Sequence, residues 1–188
     1  MIVFVRHGET VPNREGRLLG WVDAPLTEVG RRQAEQLAAR LRDLAPAAVV
    51  SSPLGRARET AAPIAAAVGG EVEIDDRLIE IDYGEWDGRP LVELPSDVVA
   101  RWRRDADFAP PGGESLRRVG GRVAGFCEER LGRDGVVVAV SHVSPIKAAV
   151  CWTLGVGDQL AWRMRLDVAS ITRIAAGPAL LSFNENVL

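Results

Sequence analysis

Histidine and arginine side chains follow three short apolar runs of this 188-residue chain. Arg6 and His7 come directly after the first run, Arg56 lies shortly after the second, and His142 follows another. The planar arginine fork fits phosphate oxygens, and a neutral imidazole is a competent nucleophile near pH 7. A second imidazole, if protonated, could donate to the same oxygens. These side chains predict chemistry on a phosphoryl group, provided that the fold brings them together.

The apolar runs predict strands, and the amphipathic stretches between them predict helices. Their alternation favours an α/β fold, a three-layer α/β/α sandwich with a mostly parallel central sheet. Because parallel strands end at one edge, the histidines and arginines should meet there. Strands are predicted over residues 2–5, 47–50, 72–74 and 136–140 with two more between 165 and 183, and helices over 28–44, 54–68, 91–105, 114–131 and 144–154.

The remaining segments predict the domain organisation. Residues 11–26 contain several glycines and prolines, which favours a long loop. Nothing in the sequence resembles a linker or a repeat, so residues 1–188 are predicted to form one domain, with a small cap built from residues 76–112.

Charge and composition narrow the range of partners. The net charge is −3 and the sequence pI is about 5.5, whereas a general nucleic-acid binder normally has a basic excess. Cys127 and Cys151 lie in apolar stretches without metal spacing and are expected to be buried free thiols. The apolar start of the chain is too short for a signal peptide or a membrane span. We therefore expect a cytoplasmic protein with a small-molecule partner, neither nucleic acid nor membrane, and leave a homodimer open.

A metal centre is the alternative use of the two histidines. Together with Glu9, Glu80 or Asp82, they could hold a divalent ion. However, Arg6 places a permanent positive charge beside His7, where the cation would lie, so no metal is predicted. Phosphoryl transfer also needs an acid for the leaving oxygen, and the residues alone do not select it among 26 acidic side chains.

The segment around His7 is one of several that resemble the histidine phosphatase superfamily, the group that includes cofactor-dependent phosphoglycerate mutases. The resemblance covers the chain from residue 3 to about 147, with the motifs in family order. The segments that carry it are Arg6–Thr10, Asn13, Gly20–Gly30, Ser51–Ala61, Leu78–Gly88, Pro111–Ser115 and Val140–His142.

The resemblance implies a role for each matching residue. His7 becomes phosphohistidine, and Glu80 protonates the leaving group and then activates the water. The residues implied to hold the phosphoryl group are Arg6, His7, Asn13, Arg56 and His142. Arg6, Arg56 and His142 are counted with His7 and Glu80 as catalytic. No metal or organic cofactor is implied.

The substrate-binding residues are less closely defined by the motifs. Trp102 with Arg103 and Arg104 resembles a run that binds the substrate carboxylate in the mutases, although a solvated helix face is the ordinary reading. Val143 departs from the family, which usually has glycine after the second histidine and often uses that residue's amide to contact phosphate. The further substrate-binding candidates are Gly20, Tyr83, Arg103, Arg104 and Val143.

Three activities are compatible with this pattern. The Glu80–Trp86 and Pro111–Ser115 stretches look more like the phosphatase branch, such as α-ribazole phosphatases and broad sugar-phosphate phosphatases. A metal-independent phosphomonoester hydrolase acting on a small soluble metabolite is therefore predicted. Phosphoglycerate mutase activity is the alternative, favoured by residues 20–23 and 102–104. A non-catalytic module that binds a phosphorylated ligand is the alternative from another class.

Overall fold

A mixed β-sheet forms the centre of the protein in a computed structural model that describes residues 1–186. The strands of the sheet are β1 (Ile2–Arg6), β2 (Ala48–Ser51), β3 (Val72–Ile74), β4 (Val137–Ser141), β5 (Ile171–Ala175) and β6 (Ala179–Glu185). Their order is β3-β2-β4-β1-β5-β6. The first four are parallel to one another, whereas β5 and β6 are antiparallel additions at one edge. The predicted mostly parallel sheet is confirmed.

Helices cover both faces of the sheet. They are α1 (Val11–Arg14), α2 (Glu28–Leu41), α3 (Gly55–Ala67), α4 (Ser96–Trp102), α5 (Leu116–Leu131) and α6 (Val143–Leu154). Successive side chains of β1 point to opposite faces of the sheet, so the strand contributes to the core beneath each of the two helix layers. Ile2 and Phe4 pack in the core under α5 and α6, while Val3 and Val5 pack in the core under α2 and α3. The three-layer sandwich is thus confirmed.

Two predicted elements differ from the observed ones. Residues 11–26 include the short helix α1, which a capping box between Thr10 and Asn13 stabilises. The helix predicted over 91–105 is shorter, because Pro95 interrupts the segment and α4 begins only at Ser96. None of the helices within residues 1–186 is long and apolar enough to cross a membrane.

The segment 76–112 is held by an aromatic cluster. Trp102 is almost fully buried and packs edge-to-face on Trp162 at 4.7 Å and on Trp86 at 5.3 Å between ring centroids. Leu94 is buried in the same cluster. That this segment acts as a small cap stays a prediction.

The turn after β1 lies directly against the start of α2. Thr27 caps α2, and its hydroxyl also donates to Glu9 Oε1 at 2.8 Å. A Cβ added to Gly8 or Gly30 would overlap backbone atoms of the other segment, which cannot move aside as a flexible side chain could. The absence of side chains at these two positions therefore lets α2 fix the backbone beside His7.

Replacing Gly30 by alanine should destabilise the fold through this close contact. We expect the free energy of unfolding to fall by about 1–3 kcal/mol, as overpacking usually causes. Gly121→Ala is the matched control, because Gly121 is also helical and has open space around its Cα. That variant should gain up to about 1 kcal/mol from helix propensity. Chemical denaturation measures both, and equal shifts of the same sign would contradict the account.

Candidate active site

The carboxyl ends of β1, β4 and β2 bring the two histidines together. Arg6 is the last residue of β1 and lies beside Ser141 of β4, so His7 and His142 leave the sheet side by side. Their ring centroids are 5.0 Å apart. Arg56 reaches the same edge from the first turn of α3, which follows β2. The structure thus brings these predicted side chains to one edge.

His7 is held in one tautomer. Its Nδ1 lies 2.7 Å from the carbonyl oxygen of Gly8, which can only accept, so Nδ1 carries the hydrogen and donates it. The lone pair is therefore on Nε2. Burial, reinforced by the charges of Arg6 and Arg56, holds the pKa of His7 well below its ordinary value. The ring is neutral at pH 7, the form in which an imidazole is a nucleophile.

The two arginines each retain an unused donor. Arg6 Nη1 donates to the Leu166 carbonyl at 2.6 Å, and Arg56 Nη2 donates to the Gly20 carbonyl at 2.7 Å. The Nε groups of both are buried and find no hydrogen-bond partner within residues 1–186. Burial lowers the pKa of Arg6 to about 10, which leaves the guanidinium charged at pH 7. Two buried cationic donors without acceptors are a suitable environment for an anion.

The second histidine provides a further donor. His142 Nε2 lies 2.7 Å from Ser52 Oγ, while its Nδ1 is buried with no partner in the described part of the chain. Burial and the charges of Arg56, His7 and Arg6 lower the pKa of His142. These surroundings favour the neutral ring, in contrast to the protonated ring considered from the sequence. A neutral imidazole still carries one N–H donor.

Glu80 is bound to the start of α6. Its Oε1 accepts from the amides of Ile81 at 2.9 Å and Ser144 at 3.0 Å, and its Oε2 accepts from the amide of Val143 at 3.1 Å. Helix N-termini leave amides without intrahelical partners, which a carboxylate can satisfy. The amide that the family resemblance connected with phosphate thus donates to Glu80 here.

Valine at position 143 is compatible with this arrangement. Val143 is the first residue of α6, so its backbone is helical and does not need the conformational freedom of glycine. The departure from the family pattern therefore leaves the geometry after His142 regular.

Asn13 presents its amide group to the site. Its Oδ1 accepts from the Thr10 hydroxyl at 2.9 Å and from the Thr10 amide at 3.3 Å. Because the oxygen is occupied by these donors, the group that remains for a ligand is the NH2, a donor suited to an anion.

A hollow of about 90 Å³ lies in front of these groups. Its walls are formed by Arg6, His7, Asn13, Arg17, Leu18, Leu19, Glu80, Tyr83 and Val143. Arg56 and His142 are fully buried and lie outside this lining.

Arg17 lines the hollow but was not predicted to be a site residue. An arginine in a predicted loop has no distinguishing feature in the sequence beyond its charge. Arg17 pairs with Glu15 at 2.7 Å at the surface.

Three of the predicted substrate-binding residues do not line the hollow. The Gly20 amide donates to Asp87 Oδ1 at 2.7 Å. Gly20 therefore helps to hold its loop in place and does not form part of the wall of the hollow. Arg103 lies over the Trp162 ring at 5.4 Å, and Arg104 donates to the Ala100 carbonyl of α4. Both arginines are exposed and lie just beyond the last residue of α4.

Two aspartates that hold the loop around the site were also not identified from the sequence. Asp23 lies 3.2 Å from Arg56 Nη1, and Asp87 accepts from the amides of Gly20 and Val22. Both belong to motif segments, but nothing in their spacing revealed their partners. Together they fix the loop that surrounds the Arg56 guanidinium.

An α/β sandwich with paired imidazoles and unpartnered arginine donors at one sheet edge defines a class of phosphoryl-binding α/β proteins. Residues 2–184 match the model of the histidine phosphatase superfamily, branch 1, and the chain belongs to this family. The resemblance to this superfamily, predicted from the motifs, is confirmed.

Curated relatives include a phosphatase and probable phosphoglycerate mutases. The chain is 40% identical to phosphoserine phosphatase 1 of Hydrogenobacter thermophilus over 92% of its own length and 85% of the relative. It is 37% identical to a probable phosphoglycerate mutase of Salmonella paratyphi C over 92% and 83%. A bifunctional protein of Mycobacterium tuberculosis is 38% identical over 91% of the chain, which spans about half, 49%, of that relative.

Solved structures share the whole fold. A mycobacterial glucosyl-3-phosphoglycerate phosphatase in complex with VO3 has a TM-score of 0.89 at 31% identity, covering 98% of both chains. Phosphoserine phosphatase of Entamoeba histolytica in complex with 3-phosphoglyceric acid has a TM-score of 0.89 at 27% identity, covering 98% of this chain and 96% of the other.

The buried histidines predict a specific dependence of stability on pH. Their pKa values are lowered in the folded protein, so the unfolded chain binds more protons once the pH falls below about 6.5. Stability should be constant above that pH and fall below it, by up to about 1.4 kcal/mol per pH unit for each ring. Carboxylates titrate lower, near pH 4, and do not share this window.

Urea unfolding between pH 7.5 and 5.5 measures this effect. The chain has only two histidines, so His142→Gln should halve the slope. A wild-type stability that does not change across this range would show that the rings are not held neutral.

Proposed function

We propose that this chain hydrolyses phosphate monoesters through a phosphohistidine on His7, without a metal ion. The observation that carries the proposal is the neutral His7 ring, with its Nε2 lone pair available, on the wall of a hollow that Arg6 and Glu80 also line. The nucleophile, one guanidinium and a carboxyl group share this small space, while Arg56 and His142 lie buried outside its lining at the same sheet edge.

The first step transfers the phosphoryl group to the enzyme. His7 Nε2 forms a bond to phosphorus while the bond from phosphorus to the ester oxygen breaks. Protonated Glu80 gives its proton to that oxygen, so the leaving group departs as an alcohol. In the second step Glu80 takes a proton from water, the water oxygen bonds to phosphorus, and the phosphorus–nitrogen bond breaks. Inorganic phosphate leaves and neutral His7 is restored.

The buried donors stabilise charge during both steps. Arg6 Nε, Arg56 Nε and His142 Nδ1 have no other acceptor within the described residues, and Asn13 adds its amide NH2. Negative charge spreads over the phosphoryl oxygens in the transition state, where fixed donors away from water are most effective. Their other nitrogens or oxygens are already bonded to protein, which holds these side chains at the edge of the sheet.

The relatives support a small phosphorylated metabolite as the substrate. Similar proteins are named as phosphoserine and glucosyl-3-phosphoglycerate phosphatases, and one is in complex with 3-phosphoglyceric acid. The narrow hollow of about 90 Å³ is suited to a phosphoryl group on a small molecule.

Phosphoryl transfer between two hydroxyls of phosphoglycerate is the second candidate, favoured by the identity of 37% to a probable phosphoglycerate mutase. The positions of Arg103 and Arg104 outside the hollow remove one argument for the mutase.

Phosphate release from a panel of small phosphoesters, including 3-phosphoglycerate, distinguishes the hydrolase from the mutase. The assay contains excess chelator, and activity should persist.

Each outcome of the panel has a clear meaning. Rapid phosphate release supports the hydrolase, whereas interconversion of phosphoglycerates that exceeds release supports the mutase. Ligand binding without any turnover would support the non-catalytic module. A loss of activity in chelator that zinc restores would overturn the metal-free mechanism.

Removing the nucleophile should abolish the covalent intermediate. His7→Ala should lower turnover by roughly a thousandfold or more, because no other group can accept the phosphoryl group. Rapid-quench labelling with a radioactive phosphoester should then detect no acid-labile phosphoprotein. His142→Ala is the matched control, since it removes the other histidine and should slow turnover while still forming the intermediate. Labelling of His7→Ala would exclude His7 as the acceptor.

Glu80→Gln should impair reactions according to the leaving group. Alkyl phosphates need a proton on the departing oxygen, so their turnover should fall by on the order of a hundredfold. Nitrophenyl phosphate, whose leaving group needs little protonation, should lose much less. Glu85→Gln is the control, because Glu85 is a nearby exposed carboxylate. Equal losses on both substrate types would remove Glu80 from the role of acid.

A further inference from the structure

Lys147 is the only lysine among the chain's 23 lysine and arginine residues. It is half-buried on α6, one turn after Val143. Within residues 1–186 no carboxylate forms a salt bridge with it. An ammonium group partly removed from water without a counter-ion is unfavourable, and a bound anion would relieve that cost.

The Lys147 side chain lines a small chamber next to the hollow. The chamber has a volume of about 60 Å³, and its other walls are mainly aromatic and aliphatic, including Trp102 and Trp162. Tyr83 and Val143 line both the chamber and the hollow. The two spaces are therefore neighbours on either side of these two residues.

We propose that Lys147 binds a carboxylate of the substrate in this chamber while the phosphoryl group occupies the hollow beside His7. The inference rests on the proposed function and adds the substrate class: small phosphate monoesters that carry a carboxylate. Lys147 is then a specificity-determining residue, and the hollow alone holds the reacting atoms.

The chamber is suited to a small anion. Its volume is about 60 Å³, smaller than the hollow of about 90 Å³ that is proposed to take the phosphoryl group. Mostly apolar walls also make a single charge contact stronger than it would be in water.

Neighbouring charges favour an anion at this place. Burial and the charge of Arg6, which lines the neighbouring hollow, lower the pKa of Lys147. Glu80 opposes this effect, but its oxygens are occupied by amides at the start of α6. An entering carboxylate would be attracted by Lys147 and, at longer range, by Arg6 in the neighbouring hollow.

A pair of matched substrates tests the proposal. 3-Phosphoglycerate and glycerol 3-phosphate differ only in a carboxylate in place of a hydroxymethyl group. The wild type should have the higher kcat/KM for the carboxylate, and Lys147→Met should reduce that ratio by about tenfold or more, mainly through KM. Arg118→Met is the control, since it removes one exposed positive charge from α5 and should leave the ratio unchanged.

The outcomes separate this inference from the proposed function. If glycerol 3-phosphate is hydrolysed but the ratio is the same in Lys147→Met and wild type, Lys147 does not bind the carboxylate. If neither substrate is hydrolysed and no phosphohistidine forms, the proposed function itself has failed.

Chemical labelling gives a second measurement that does not depend on turnover. Lys147 carries the only side-chain amine, so acetylation by acetic anhydride can be followed at this residue by mass spectrometry in the His7→Ala variant. 3-Phosphoglycerate should protect it, whereas glycerol 3-phosphate and inorganic phosphate should not. Equal protection by all three would show that occupancy of the hollow, and not a carboxylate contact, shields the amine.

Discussion

The burial of positive charge beside two imidazoles is the constraint on which this structure depends. Arg56 is fully buried, yet a guanidinium is stable there only when its donors find acceptors. Asp23 and the carbonyls around it satisfy the Nη groups, while Nε is left without an acceptor in the described residues. Burial, reinforced by the same positive charges, lowers the pKa of both histidines and keeps them neutral. The buried arginines therefore contribute both to anion binding and to the neutral state of the nucleophile.

Arg56 also joins the phosphate-binding region to the surrounding loop. Its Nη2 donates to the carbonyls of Leu19 and Gly20, and Nη1 donates to that of Val22. Asp87 holds the other side of the loop through backbone amides. The loop that borders the hollow is therefore held in place by hydrogen bonds from the buried Arg56 side chain.

The sequence predicted the features that depend on local pattern. Apolar runs such as Ile2–Val5 determined the strands, and their ends located Arg6, His7, Arg56 and His142 at one edge. Specific pairing was not predictable, because the contact of Asp87 with Gly20 joins distant segments through loop geometry. The sequence could not show that Arg103 and Arg104 lie outside the hollow, because proximity to Trp102 along the chain does not reveal which way each side chain faces. Lys147 was not predicted to be a site residue, because a single lysine in a predicted helix indicates no function until the structure shows the chamber beside it.

The contact between Glu80 and the first amides of α6 has a mechanical consequence. Those amides need an acceptor, and His142 at the start of the helix makes no side-chain cap. In the proposed cycle Glu80 alternates between neutral acid and carboxylate, so the cap weakens and strengthens once in every turnover. Lys147 lies one turn further along the same helix. Each proton transfer at Glu80 therefore changes the hydrogen bonding at the first turn of the helix that carries Lys147. In the proposed cycle, product release would coincide with that change in hydrogen bonding.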